Sequence, residues 1–109
     1  MSEAKFTHLQ DNEFKLLGHL TYLTVANLLK KETQSFNNCI KNKSLKNIVI
    51  NLKEVQNTDS SGIAFIVELI RLAHIYEKEI IFHHVPEQML AIAKLSSVDE
   101  LLINKKESI

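Results

Sequence analysis

Residues 46–52, KNIVINL, constrain the fold more than any other part of the chain. Ile48, Val49 and Ile50 form an unbroken β-branched run, the pattern of a central strand covered on both faces. A turn-rich stretch follows, Gln56-Asn57-Thr58-Asp59-Ser60-Ser61-Gly62, and then a long helical pattern from Gly62 to about Tyr76. Residues 79–85 read as a second strand. Strand, helix and strand in this order predict one right-handed βαβ unit with parallel strands. The expected fold class is α/β, a mixed and mostly parallel sheet of about four to five strands with helices packed on it.

The remaining segments fit around that unit. Residues 6–10 and 13–18 flank Asp11-Asn12 and predict a hairpin, because Asp and Asn tolerate left-handed backbone in tight turns. Tyr22, Val25, Leu29, Phe36 and Ile40 keep roughly helical spacing and predict a helix over 22–40, with Asn37-Asn38 as an early stop. Pro86 suits the first turn of a helix that continues over 87–95. The stretch 98–103 is apolar enough to pack, and 104–109 is expected to fray. At 109 residues the natural count is a single domain spanning 1–109.

Charge and cysteine content exclude several partner classes. Thirteen basic residues balance thirteen acidic ones, so neither a nonspecific nucleic-acid binder nor a polybasic membrane anchor is expected. Cys39 is the lone cysteine, which excludes an intrachain disulfide and a thiolate cluster. The amino terminus lacks the charged-then-apolar order of a signal peptide. The longest nearly apolar run, 63–73, is interrupted by Glu68 and Arg71 and is too short to span a bilayer. These features predict a soluble cytosolic protein.

Catalytic constellations are missing from the pattern. Gly18 and Gly62, the two glycines, cannot supply a phosphate-binding loop. His83 and His84 are neighbours on a predicted strand, so their side chains are expected on opposite faces. Ser60 or Ser61 as a nucleophile would want a base, and nothing in the sequence places one beside them. The expectation is a protein with no catalytic residues, no metal site and no cofactor.

Asp59-Ser60-Ser61-Gly62 is the informative segment. Asp and Ser are preferred helix caps, and Gly62 lets the helix start approach the sheet closely. At about 100° per residue, Gly62, Ile66, Leu69 and Ala73 fall in the middle of the apolar arc. Phe65, Leu72 and Tyr76 extend it on one side, and Ile63, Val67 and Ile70 on the other. Ser60 lies angularly near Ile63, Val67, Arg71 and His74, so that flank is the expected docking face. A small hydroxyl beside apolar residues and an arginine suits protein contact.

The order hairpin, helix, strand, Asp59-Ser60-Ser61-Gly62, helix, strand, helix resembles the STAS domain family over nearly the whole chain. That family includes sulphate-transporter tails and anti-sigma factor antagonists. The helix from Ser60 to Ala73 and the string from Val85 to Leu102 are most similar to the MlaB branch, the cytoplasmic STAS subunits of Mla phospholipid ABC transporters. Antagonists usually carry a second glycine where this chain has Ala64, and Asn51 replaces an aspartate common at the end of the central strand.

The resemblance implies a non-enzymatic subunit that binds the transporter's ATPase subunit and, through it, the membrane permease, peripheral to the inner membrane. It implies a role in maintaining outer-membrane lipid asymmetry, without direct membrane insertion. Its implied partner-binding residues are Asp59, Ser60, Ser61, Gly62, Ile63, Val67 and Arg71. The alternative is a partner-switching antagonist phosphorylated on Ser60 by an anti-sigma kinase.

Overall fold

A computed structural model describes residues 3–103; the expected fraying of 104–109 lies outside them. The chain opens with an antiparallel hairpin, β1 (Ala4–Gln10) and β2 (Glu13–Leu20), turned by Asp11 at φ 46°. Two short helices follow, α1 (Val25–Lys31) and α2 (Gln34–Lys41). Then come β3 (Asn47–Thr58), α3 (Ser60–Ile75), β4 (Glu79–His83) and α4 (Glu87–Leu95), with a 3-10 turn at Asp99–Leu102. The sheet order is β1-β2-β3-β4, with β3 parallel to both neighbours. This is the mixed, mostly parallel α/β sheet expected, with two parallel crossovers rather than one.

Several boundaries differ from the sequence reading: β1 begins at Ala4, β2 runs to Leu20, β4 stops at His83, and three further differences bear on the site. The single helix over 22–40 is two helices, broken at Glu32-Thr33 rather than at Asn37-Asn38. The break falls in the polar run where the apolar spacing lapses, and the Thr33 hydroxyl donates back to the Leu29 carbonyl at 3.1 Å. Tyr22 lies before α1 and is 71% exposed, so it is no part of a helical apolar face. β3 runs on to Thr58, because β2 offers a parallel partner that far: His19 sits opposite Asn57 and Leu20 opposite Thr58. Polar turn formers become strand here because a neighbour supplies the ladder.

β3 is also not covered equally on both faces. Its alternate residues Ile48, Ile50 and Leu52 are fully buried, while Val49 and Asn51 are half-buried. Two register shifts against β2 give β3 extra residues, and the exposed pairs Lys53-Glu54 and Gln56-Asn57 fall at those shifts.

The core sits between the inner sheet face and the helices. Phe6, Phe14 and Phe36 meet pairwise at 5.2 to 5.9 Å, and Phe65 joins Phe6 edge-on at 6.0 Å. One aromatic cluster thus ties the hairpin to α2 and α3. Gly62, Ile66, Leu69 and Ala73 are buried, as the middle of the α3 arc predicts. At the sheet edge, the Phe6 amide of β1 donates to the Glu32 carboxylate at 3.0 Å, so the residue at the helix break also closes part of the strand edge. Lys78 donates to the carbonyls of Asn42 and Leu45, tying the end of α2 to the start of β4.

Candidate functional site

The site forms where β2 and β3 end and α1 and α3 begin. Asp59 is extended (φ −122°, ψ −169°) and caps α3: its Oδ1 accepts from the Ser61 amide at 2.8 Å and the Gly62 amide at 3.3 Å. Its other oxygen, Oδ2, accepts from the Tyr22 amide at 3.1 Å. The Asp59 amide donates to the Leu20 carbonyl at 3.1 Å. One carboxylate therefore satisfies orphan donors of the α3 start and also holds the turn between β2 and α1. Thr58 is fixed from the other side, its amide donating to the Gln88 side chain of α4 at 3.1 Å.

That turn is itself closed by threonines. The Thr24 hydroxyl donates to the His19 carbonyl at 2.6 Å and accepts from the Thr21 amide at 3.1 Å. The Leu23 amide donates to the Thr21 hydroxyl at 3.3 Å. Tyr22 and Leu23 project from this turn at 71% and 68% exposure.

Gly62 makes the close approach possible. A β-carbon there would meet the Thr58 hydroxyl and come within 2.6 Å of the Leu20 carbonyl. Its requirement is space, not an unusual backbone angle.

The structure brings only part of the expected site together. Ser60 is exposed at the first position of α3, and Ser61 is half-buried. Ile63 is 4% exposed and belongs to the core, so it builds no open flank beside Ser60, while Val67 is half-buried and packs against that core. The exposed residue one turn on from Ser60 is Ala64. Arg71 lies about 16 Å along the helix axis from Ser60 and is engaged by Glu68 through a bidentate pair at 2.9 and 2.7 Å. Those hydrogen bonds, more than simple charge attraction, hold the Glu68 carboxyl below its ordinary range. The sequence reading did not place Tyr22 and Leu23 beside Asp59. The Thr21-x-x-Thr24 spacing around an adjacent tyrosine and leucine was the available signal.

The histidines differ from expectation in one respect. β4 ends at His83, and His84 takes φ 58°, so alternation stops and the two rings meet edge-on with centroids 6.3 Å apart. Among the described residues no group of three His, Cys, Asp or Glu side chains is placed to hold a metal ion. No helix there is long and apolar enough to cross a membrane.

The family model described as the MlaB STAS domain matches residues 7–104. The chain belongs to the STAS domain family. Two solved structures with the same fold are forms of SpoIIAA, one of them phosphorylated and described as a cell-fate determinant of Bacillus. This STAS chain is 14% identical to it, with 96% of this chain and 95% of that one covered and a TM-score of 0.61. The other is the unphosphorylated anti-sigma factor antagonist, at 13% identity, 96% and 91% coverage and a TM-score of 0.65. No curated protein matches the STAS chain by sequence. At these identities the SpoIIAA structures establish the fold of the STAS domain and no more.

Proposed function

We propose that the chain is a cytoplasmic, non-enzymatic subunit of a phospholipid ABC transporter of the Mla type, bound to the ATPase subunit through the surface at Ser60. The observation that carries this reading is the match of the MlaB model across residues 7–104. The local chemistry agrees with it. Ser60 presents a small exposed hydroxyl at the start of a rigid helix, and the helix is capped by Asp59, so Ser60 is left free for contact. Through the ATPase the subunit reaches the permease and supports the lipid asymmetry of the outer membrane.

The test is Ser60→Glu. An acidic residue in the first turn favours the helix and leaves the Asp59 cap intact, so the isolated domain keeps its melting temperature. On docking, the carboxylate loses water without a partner, which costs several kilocalories per mole in an apolar contact. The variant is expected to fold and to fail to co-purify with the ATPase subunit. Normal co-purification overturns the docking assignment.

A second reading is favoured by the fold likeness to SpoIIAA, one of whose structures is of the phosphorylated form. In that reading Ser60 is phosphorylated by an anti-sigma kinase, and the added charge of nearly two breaks an apolar interface. Purification from the native cell separates them: an ATPase and a permease in the eluate support transport, while a phosphoserine with a kinase supports switching.

A further inference from the structure

We infer that the cavity between the β1–β2 turn and α2 is a site for a soft monovalent metal ion of the class of cuprous copper. Its ligands are the Cys39 sulfur, His8 Nε2 and the Asp11 main-chain carbonyl. The cavity lies at the opposite end of β2 from Ser60, and the inference is independent of the transport reading.

Three elements deliver the donor atoms. Cys39 is buried on α2 together with Phe36 and Ile40, and its sulfur lies 3.4 Å from the Asp11 carbonyl oxygen. The His8 ring of β1 stacks on Phe14 with centroids 4.5 Å apart, which fixes its plane. Its Nε2 lies 3.9 Å from the sulfur and 2.7 Å from the same carbonyl oxygen. These separations make an acute triangle, so a single point inside it is about 2 Å from all three atoms. That is the length of a metal bond to nitrogen or oxygen, and a bond to sulfur needs only about 0.3 Å more. Because one donor is a backbone carbonyl, no pattern of residue types in the sequence marks the set.

The surroundings choose the ligand. The three groups line a cavity of about 280 Å³ whose lining includes Asp11 and no lysine or arginine, so a cation is favoured over an anion. Ser35 and Asn38 add uncharged polar wall, with room for a water on the open side of the ion. Thiolate and imidazole suit copper, whereas calcium and magnesium call for oxygen ligands. A structural zinc site asks for four protein ligands, more than these elements offer.

Charge points to the monovalent ion. Cys39 is 7% exposed and burial raises its pKa, so it is a neutral thiol near pH 7. Binding sends the thiol proton to water, and thiolate and ion together form a neutral pair, which costs less to bury than a net charge. His8 stays neutral by carrying its proton on Nδ1, leaving Nε2 to bind. No electron changes hands.

The full-length chain is titrated anaerobically with cuprous ion in competition with the chelator bicinchoninate. The parent is compared with Cys39→Ala, His8→Phe and His83→Ala, each with a thermal melt. Phenylalanine at position 8 keeps an aromatic ring on Phe14 and removes the donor. The parent is expected to bind one equivalent and to release one proton per copper into weak buffer near neutral pH. Cys39→Ala is expected to lose this binding, and His83→Ala to bind as the parent does. His8→Phe is expected to weaken it by at least the roughly 10–100-fold that loss of an outer-shell partner costs at a metal site. A parent that binds no copper overturns the site, as does binding that persists unchanged in Cys39→Ala or His8→Phe. Zinc that displaces copper at equal concentration overturns the choice of a monovalent ion.

Discussion

Gly62→Ala tests the close approach of α3 to the end of β2. Two effects oppose each other. Alanine is a better helix former than glycine by about 0.8–1.0 kcal/mol in a helix interior, and it restricts the unfolded chain. Against this, the new methyl would lie 2.6 Å from the Leu20 carbonyl, where ordinary van der Waals contact begins at 3.4 Å. That carbonyl is backbone and accepts from the Asp59 amide, so it cannot swing away as a flexible side chain would. The start of α3 must lift instead, straining the Asp59–Leu20 and Asp59–Tyr22 bonds. Overpacking costs about 1–3 kcal/mol, and each weakened hydrogen bond adds roughly 0.5–1.5 kcal/mol. The clash outweighs the propensity gain, and the net loss is expected at about 2–3 kcal/mol. Urea unfolding followed by circular dichroism measures it as a lower midpoint at unchanged slope. Adding Thr58→Ala removes the contact with the Thr58 hydroxyl and restores part of the loss. A Gly62→Ala variant as stable as the parent, or more so, would refute the reasoning and mean that α3 stands farther from β2.

Leu69 is fully buried, and Leu69→Ala is expected to cost about 2–5 kcal/mol in the same assay. α3 and α4 both end with the residue after the cap in the left-handed region, Glu77 and Ser97 at φ 59°. Replacing either by glycine is expected to raise stability by up to about 1 kcal/mol in denaturant titrations, since only glycine takes that conformation freely. Burial raises the pKa of the Cys39 thiol. The unfolded chain then ionises first as pH rises, so this contribution is intact below the ordinary thiol range, about 8.5, and is lost as pH climbs through the folded value. Stability curves of the parent and Cys39→Ala, measured against pH, should diverge only on the alkaline side.

Elements with strong local signals were legible in the sequence. The β-branched run of β3, the apolar arc of α3, the Asp11 turn and the start of α4 all stand where residue type and spacing put them. The features that failed depend on contacts distant in sequence. Gln56, Asn57 and Thr58 become strand only because β2 lies alongside, and no local pattern announces that partner. Tyr22 fits helical spacing with Val25 yet faces outward, because the threonine turn and Asp59 fix its backbone before the helix begins. Ile63 fell on the flank nearest Ser60 by helical angle, but the angle could not reveal that neighbouring elements close over it. The place of Ser60 at the start of α3 was legible because the capping residue Asp59 directly precedes it.

The Glu32 carboxylate on the Phe6 amide has a consequence for life in a crowded cell. An outer strand with open amides is a template on which a second chain can extend the sheet, and runaway growth of that kind ends in insoluble fibres. Here an incoming strand would have to evict a carboxylate from its hydrogen bond at the middle of β1, returning a charge to water and finding the strand irregular between His8 and Gln10. The carboxylate comes from the very residue where the two short helices part, so the interruption of the helix supplies the guard for the edge. A continuous helix would have carried Glu32 elsewhere and left that side of the sheet open to its neighbours.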